Sequence, residues 1–375
     1  MHSPSIAILG AGLSGLYAAT LLSQRGQHDV VLLEARAGPG GRILSVPARA
    51  DGSDLPHDRV DLGPSWFWPH SQPQLDALIA ALGLARFAQP EDGDMRVERS
   101  LREGVLTVRG YANWPPSMRL AGGMAALTDA LLARLPPGCL HTDRAVRALR
   151  CNDKGIEVEA VDAAGRLHHW QVNQVLLALP PRLAAQRIAF EPGLPPALLR
   201  QWLATPTWMA PHAKYVAVYP TPFWREQGLS GEARSALGPL GEIHDASTPG
   251  GSAALFGFVG VPARTRQALA PDALRAACRE QLARLFGPQA AQPLSDYLQD
   301  WAQEPCTATP ADFDSAGQHA VAPPSRAGEG PWRERLIGIG SEWSRQFPGY
   351  VAGAVEAAGE GVGLATGTGG RPASP

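Results

Sequence analysis

The chain reads as an α/β protein in two domains, and three observations carry that reading. Short, uniformly apolar runs at Ile6 to Leu9 and Val30 to Leu33 bracket a glycine turn and an apolar-periodic segment, Leu13 to Gln24. Strands of that kind suit a parallel sheet buried on both faces, so the first 34 residues form a βαβ unit. A second set, Arg144 to Arg150, Gly155 to Asp162 and His168 to Val172, is separated by turn signals at Asn152-Asp153 and Ala164-Gly165 and reads as an antiparallel meander. Finally, 375 residues exceed what one core serves, so about two domains are expected.

The remaining elements follow in chain order. A helix is expected near Gln74 to Leu82 and another at Met124 to Leu135, both from apolar periodicity. A buried strand runs from Gln174 to Leu179 and stops at Pro180-Pro181. Another begins near Lys214 and alternates through Val216 and Val218. Helical periodicity returns at Asp272 to Phe286 and at Tyr350 to Val362, with a strand at Leu336 to Gly340 between them. Thr366 to Pro375 is small, polar and rich in Gly and Pro, and is expected to be a disordered tail.

Composition removes several function classes. A formal charge of −2 lacks the basic footprint of a nucleic-acid or anionic-membrane binder. Cys139, Cys151, Cys278 and Cys306 form no CxxC pair, so neither a zinc site nor a disulfide framework is indicated, and a reducing cytoplasmic location fits. The N-terminus enters a strand directly rather than a signal peptide, and no window reaches the ~20 apolar residues of a membrane helix. His168-His169 lie in a meander strand without a second ligand pair, and no metal site is expected. Of the 33 Lys and Arg residues only Lys154 and Lys214 are lysines. Lys154 sits in an Asn152-Asp153-Lys154-Gly155 turn, where an exposed lysine needs no explanation.

Gly10-Ala11-Gly12-Leu13-Ser14-Gly15 is a GxGxxG between a strand and a helix, with Glu34 closing the next strand. Gly10 permits the tight turn, Gly12 lets backbone approach a pyrophosphate, and Gly15 allows close helix-strand packing, while Leu13 and Ser14 open the helix. Glu34 is placed to accept hydrogen bonds from ribose hydroxyls. The fold is therefore Rossmann-like, with a dinucleotide site.

Past Glu34-Ala35-Arg36, the run Gly38-Pro39-Gly40-Gly41-Arg42 resembles the GGR extension of the flavin-containing amine oxidase (monoamine oxidase-like) superfamily, here as a short bacterial-type member. Asp61-Leu62-Gly63-Pro64-Ser65-Trp66, Arg119 to Met124 and Ala178 to Pro181 are similar to further family segments. So is Lys214 at the head of a stretch ending Pro222-Phe223-Trp224. The closest likeness is Gly340-Ser341-Glu342 followed by Gly349-Tyr350-Val351-Ala352-Gly353-Ala354. The resemblance covers nearly the whole chain and is specific at Gly10 to Arg42, Ala178 to Trp224 and Leu336 to Glu356.

The resemblance implies an FAD-binding domain of residues 1–88, 117–203 and 330–365 and a smaller mixed α+β substrate domain of 89–116 and 204–329. It implies FAD rather than NAD, with Arg42 near the pyrophosphate, the Gly63 to Trp66 backbone beside the flavin ring, and Val146 pairing its backbone with the adenine. Ser341 and Glu342 would reach the ribityl or pyrophosphate portion. The helix after Gly349, with Tyr350, Val351 and Ala354, would aim its N-terminus at the flavin N1 and C2 carbonyl. Lys214 would hold a water at flavin N5, a task a fixed arginine cation serves poorly.

It implies oxidation of an amine by hydride transfer to N5, O2 as acceptor, and imine and H2O2 as products. Two departures stand out. Tyr350 falls on one of two aromatic positions that flank the substrate in monoamine oxidases, but the other, counted from Trp301, lands at Pro310-Ala311; Phe347 and Trp343 are the candidates to compensate. That same register has no cysteine, Cys306 lying four residues early, so FAD is expected to be noncovalent. The stretch from Trp66 to Gly122 is short for the family, so the substrate lid is reduced, leaving the pocket more open or closed by a partner subunit in a homodimer. Alternatives are a desaturase-, protoporphyrinogen-oxidase- or renalase-like flavoprotein on a non-amine substrate, and a non-catalytic flavin-binding protein.

Overall fold

The computed structural model describes residues 4–49, 57–314 and 321–367. The chain divides into two units, residues 1–42, 127–209 and 305–375 in one and residues 43–126 and 210–304 in the other.

The first unit is built on a five-stranded sheet in the order Leu336–Gly338, Gln174–Leu177, Ile6–Leu9, Val30–Leu33, Leu140–His141, every pair parallel. Ile6–Leu9 is the central strand and is buried at all four residues, which is why its sequence shows no polar alternation. Helix Leu13–Gln24 follows the glycine turn, and the last helix, Val351–Ala365, lies against it. The meander forms at Ala145–Asn152, Gly155–Val161 and Leu167–Val172, each within two residues of the sequence reading, and Ala189–Glu191 adds a parallel edge strand. Trp202, Trp332 and Trp343 fill the space between these layers, all three nearly inaccessible. Full burial of side chains that size contributes roughly 1.5–3 kcal/mol each or more.

The second unit carries a seven-stranded sheet in the order Ser295–Asp300, Ala213–Tyr219, Ala253–Val259, Leu240–Asp245, Leu229–Ser235, Asp94–Glu98, Val105–Val108. All neighbours are antiparallel except Leu229–Ser235 with Asp94–Glu98. Helix Pro271–Phe286 covers the face that carries Tyr215, Ala217 and Tyr219. The opposite face holds Val216, Val218, Ala254 and Phe256, so Ala213–Tyr219 is buried on both sides and its alternation is of neighbours rather than of exposure.

All four internal boundaries differ from those expected, with residues 117–126 falling in the second unit and 204–209 in the first. Residues 43–49 and 57–88 also pack within the second unit, because Ser45–Pro47 and Arg59–Asp61 form a ribbon whose Asp61 carboxylate accepts from Ser45 Oγ and from Met124 N (2.8 Å). Residues 305–314 and 321–329 pack within the first, where Asp312 is tied to Arg182. Part of the expected tail, residues 368–375, lies outside the described residues; Thr366 and Gly367 close the last helix. No helix among the described residues is long and apolar enough to cross a membrane.

Candidate active site

In the first unit the GxGxxG turn is shaped by contacts that only glycine permits. Gly10 has φ +102°, and a Cβ there would stand 2.7 Å from the Ala178 carbonyl oxygen. A Cβ on Gly15 would overlap the Gly10 carbonyl oxygen, so helix and strand meet backbone to backbone. Gly12 is different. The nearest atom to its added Cβ is Gly41 Cα at 3.8 Å, so this stretch presents bare backbone with room over it. Gly12 precedes Leu13 and Ser14 without a side-chain cap, leaving first-turn amides that a helix cannot satisfy internally.

The Gly40-Gly41 loop folds back on that turn, with a bridge between Gly12 and Gly40 and Gly40 N donating to Ala11 O at 2.9 Å. Glu34 is buried, and its carboxylate accepts from Ala11 N at 2.7 Å and Arg36 N at 2.9 Å, with exposed Ala35 between. Two hydrogen bonds leave a carboxylate with acceptor capacity to spare. Arg36 donates to Gly41 O at 2.8 Å and to Thr307 Oγ1 at 3.2 Å, so it ties the loop in place.

Arg42 forks onto Glu342, with Nη2 3.1 Å from Oε2 and 3.0 Å from Ser341 Oγ. Glu342 is almost wholly buried, whereas the Arg42 side chain is about one quarter exposed. The two residues expected to meet the dinucleotide separately are thus a bidentate pair. Val146 sits where the meander carries a bulge between Val146 and Ala148, which leaves Arg147 outside the ladder pairing.

At the last helix, Gly349 has φ +85° and donates to Ser341 O at 3.0 Å. Tyr350 is the N-cap residue, without a side-chain cap bond, before Val351 and buried Ala354. Buried Glu356 reaches back to accept from Ser344 Oγ at 2.7 Å and Arg345 N at 3.2 Å, fixing the turn that leads into the helix. The Tyr350 ring packs on Trp208, centroids 4.4 Å apart and tilted 46°. Trp343, one candidate for a second aromatic, instead packs 5.3 Å from Trp202 in the core.

In the second unit, Lys214 is 3% exposed. Its Nζ donates to Ser65 Oγ at 2.7 Å and Gly63 O at 3.1 Å, and lies 4.0 Å above the Phe256 ring centroid. Burial, and secondarily the Arg119 guanidinium, lower its pKa to about 7, against the opposing pull of Asp61. Arg119 is itself buried, donating to Ala246 O and Ser247 O, and its pKa is pulled down by desolvation. Pro64 lies between Gly63 and Ser65 in the irregular segment that follows strand Arg59–Asp61. Trp66 donates to Gln89 Oε1 at 2.8 Å and lies 4.9 Å from His244 and 5.3 Å from Phe256, ring to ring.

Sequence reasoning missed Phe256, Asp61, Arg119 and Trp208. Asp61 and Arg119 open segments that resemble the family but carried no assigned role, while Phe256 and Trp208 belong to no motif and carry no signal beyond apolar surroundings. One group of three metal-ligand types comes together among the described residues, Glu157, Glu159 and His169. Arg150 Nη1 already spans its two carboxylates, at 3.5 and 2.9 Å.

A parallel Rossmann-type sheet with a bare glycine turn ahead of a helix defines a dinucleotide-binding protein. Residues 101–361 match the family model of flavin containing amine oxidoreductases, and residues 8–82 match that of the NAD(P)-binding Rossmann-like domain. The chain belongs to the flavin-containing amine oxidoreductase family, and its cofactor is FAD. It is 28% identical to a putrescine oxidase of Kocuria rosea over 80% of this chain, spanning 60% of that relative's length. It is 27% identical to an L-amino acid dehydrogenase of Synechocystis sp., over 93% of this chain and 92% of that protein. A solved putrescine oxidase variant superposes with a TM-score of 0.79 over 97% of this chain and 99% of that one, at 22% identity, which shows a shared fold.

Proposed function

We propose that the chain oxidises a small-molecule amine at its α-carbon, releasing an imine that water hydrolyses, with FAD held noncovalently. Bound FAD supplies the hydride acceptor, and O2 returns it to the oxidised state with H2O2 as product. The observation that carries the reading is Lys214, a buried lysine held by Ser65 and Gly63 with its pKa near neutrality. Lysines are commonly solvated or paired with a carboxylate, and a buried lysine held by a hydroxyl and a carbonyl with its pKa lowered toward 7 is of the kind that gathers at functional sites.

The residues present fit FAD. Bare backbone at Gly12 and the amides of Leu13, Ser14 and Gly15 suit the pyrophosphate. Glu34, held by two backbone amides, has lone pairs left for the ribose hydroxyls. Arg36 and Gly41 hold the loop that carries Gly40 and Ala35, and the Val146 bulge offers backbone to the adenine. Arg42, neutralised by Glu342, fixes the Ser341-Glu342 turn more than it supplies net charge. The uncapped start of the Tyr350-Val351 helix, with Gly349 before it and Ala354 in its first turn, favours negative charge at the flavin N1 side. In the second unit Gly63, Pro64, Ser65 and Trp66 are the segment assigned to the flavin ring, and Lys214 Nζ is the donor assigned to hold a water there. Tyr350 supplies an aromatic wall for the amine.

No side chain in these sets is placed as a general base, which suits substrate binding as the neutral amine followed by hydride transfer. Four free cysteines support a reducing, cytoplasmic location. The test is the visible spectrum of the purified protein and its bleaching by amines without oxygen. A colourless protein that takes up no FAD overturns the reading. A yellow one that no amine bleaches moves it to a desaturase- or renalase-like flavoprotein, and one reduced by amines yet inert to O2 is a dehydrogenase.

A further inference from the structure

Trp208 belongs to no motif, yet several features converge on holding it against Tyr350. The ring centroids lie 4.4 Å apart, less than the roughly 7 Å that a molecule lying between two parallel rings at 3.5–4.0 Å contacts would need. Nothing can therefore enter between them. The approach depends on Gly349, since a Cβ there would stand 2.8 Å from Trp208 Cβ.

The chain just before Trp208 is anchored through buried Thr207, whose amide donates to Asp312 Oδ1 at 3.1 Å. Asp312 also accepts from Arg182 Nη1 at 2.6 Å and from Thr309 N and Oγ1 at 2.8 Å each, and it has no exposed surface. The residue after Trp208, Met209, has φ +64°, a left-handed conformation that long side chains rarely adopt. Such strain persists where surroundings over-determine it, and it gathers at ligand-holding sites. Unlike Trp202, Trp332 and Trp343, Trp208 keeps part of its surface accessible, as does Tyr350.

We infer that Trp208 is a positioning residue for the substrate: it backs Tyr350 so that the two rings form one aromatic platform, against which a single face of the amine's carbon group rests. The inference builds on the amine-oxidation reading. A closed pair has one usable side, so the site favours amines carrying an aryl or cycloalkyl group that covers the platform, over slender linear amines that gain little from it. It also assigns the Arg182-Asp312 pair a reason for its place, since that pair holds the segment carrying Trp208.

The test compares Trp208→Ala, Trp208→Phe and the unaltered holoenzyme with benzylamine and n-butylamine, reading anaerobic flavin reduction at increasing amine concentration. The concentration dependence reports binding and the plateau reports the chemical step. For Trp208→Ala the expected result is about a tenfold weaker benzylamine half-saturation, the loss of one aromatic contact. The plateau should change less than threefold, n-butylamine should shift less than twofold, and Trp208→Phe should restore most of the benzylamine binding. A second readout uses 3-fluorotyrosine incorporated at the six tyrosines, with the Tyr350 resonance identified by Tyr350→Phe. Benzylamine added anaerobically to the reduced holoenzyme should move that resonance, and the shift should be lost in Trp208→Ala. Equal weakening for both amines, an unchanged benzylamine half-saturation, or a plateau that falls with binding unchanged overturns the inference. Failure of every amine to reduce the unaltered enzyme overturns the amine reading instead, and absence of a Tyr350 shift in the unaltered protein then removes the platform as well.

Discussion

The rarity of lysine makes the state of Lys214 directly measurable. With Lys154 the only other lysine, a lysine-labelled protein shows two side-chain signals by NMR, and Lys154→Arg assigns them. Lys214 should titrate with a midpoint of about 7 instead of the ordinary 10.5, because its ammonium is desolvated and a second cation, Arg119, lies near. Asp61 pulls the other way, so Asp61→Asn should lower the midpoint further. The sign for stability follows from linkage. Below pH 7 the folded and unfolded chains both bind the proton, and the cost of the buried ammonium is complete. Between about 7 and 10.5 the unfolded chain holds it more tightly, so stability rises with pH. At ~1.36 kcal/mol per unit, the gain from pH 7 to pH 9 is about 2 kcal/mol. Urea unfolding of the wild type and of Lys214→Met at both pH values isolates that term, because the buried cysteines and other groups titrating in the range cancel in the difference. A Lys214 midpoint above 9.5, or a methionine variant with the same pH dependence as the wild type, refutes the reasoning.

Other consequences are as direct. Gly12→Ala should fold with less than about 1 kcal/mol lost, there being no close atom for the new methyl, yet bind FAD weakly. Gly15→Ala should cost about 1–3 kcal/mol or more before cofactor is considered, because its Cβ overlaps the Gly10 carbonyl oxygen; urea unfolding and the flavin absorbance of the purified variants separate the two. Arg182→Ala should destabilise the first unit by about 3–5 kcal/mol, leaving the fully buried Asp312 carboxylate without its cation, as read by urea unfolding. Arg42→Ala should lose both stability and FAD affinity through the stranded Glu342. Adding Glu342→Gln should recover the stability but not the affinity, as thermal unfolding and equilibrium dialysis of FAD would show.

What could be read from the sequence divides by range of interaction. The βαβ start, the meander and the last helix are local patterns, and their strands and helices fall within a few residues of where periodicity and turn residues put them. The close helix-strand packing at Gly15 was also legible, since it follows from a steric demand inside one turn, whereas Gly10 is confined by the Ala178 carbonyl of another strand. What remained hidden are partnerships across long stretches of chain. Arg42 and Glu342 each looked like a separate dinucleotide contact, although they hold each other across 300 positions. Ser65 and Phe256 clasp Lys214 from distant segments, and only the sheet register brings Phe256, opposite Val216, to the lysine's face. The second aromatic is hidden for the same reason: the matching register, Pro310-Ala311, carries none, and the neighbouring Trp343 packs in the core against Trp202. The ring that meets Tyr350 comes from Trp208, and the 310 region contributes through Asp312, whose carboxylate anchors the tryptophan's segment. A register that lacks its aromatic thus lies beside a residue, Asp312, that anchors the segment of an aromatic from elsewhere, and no pattern of spacing along a single segment can express that arrangement.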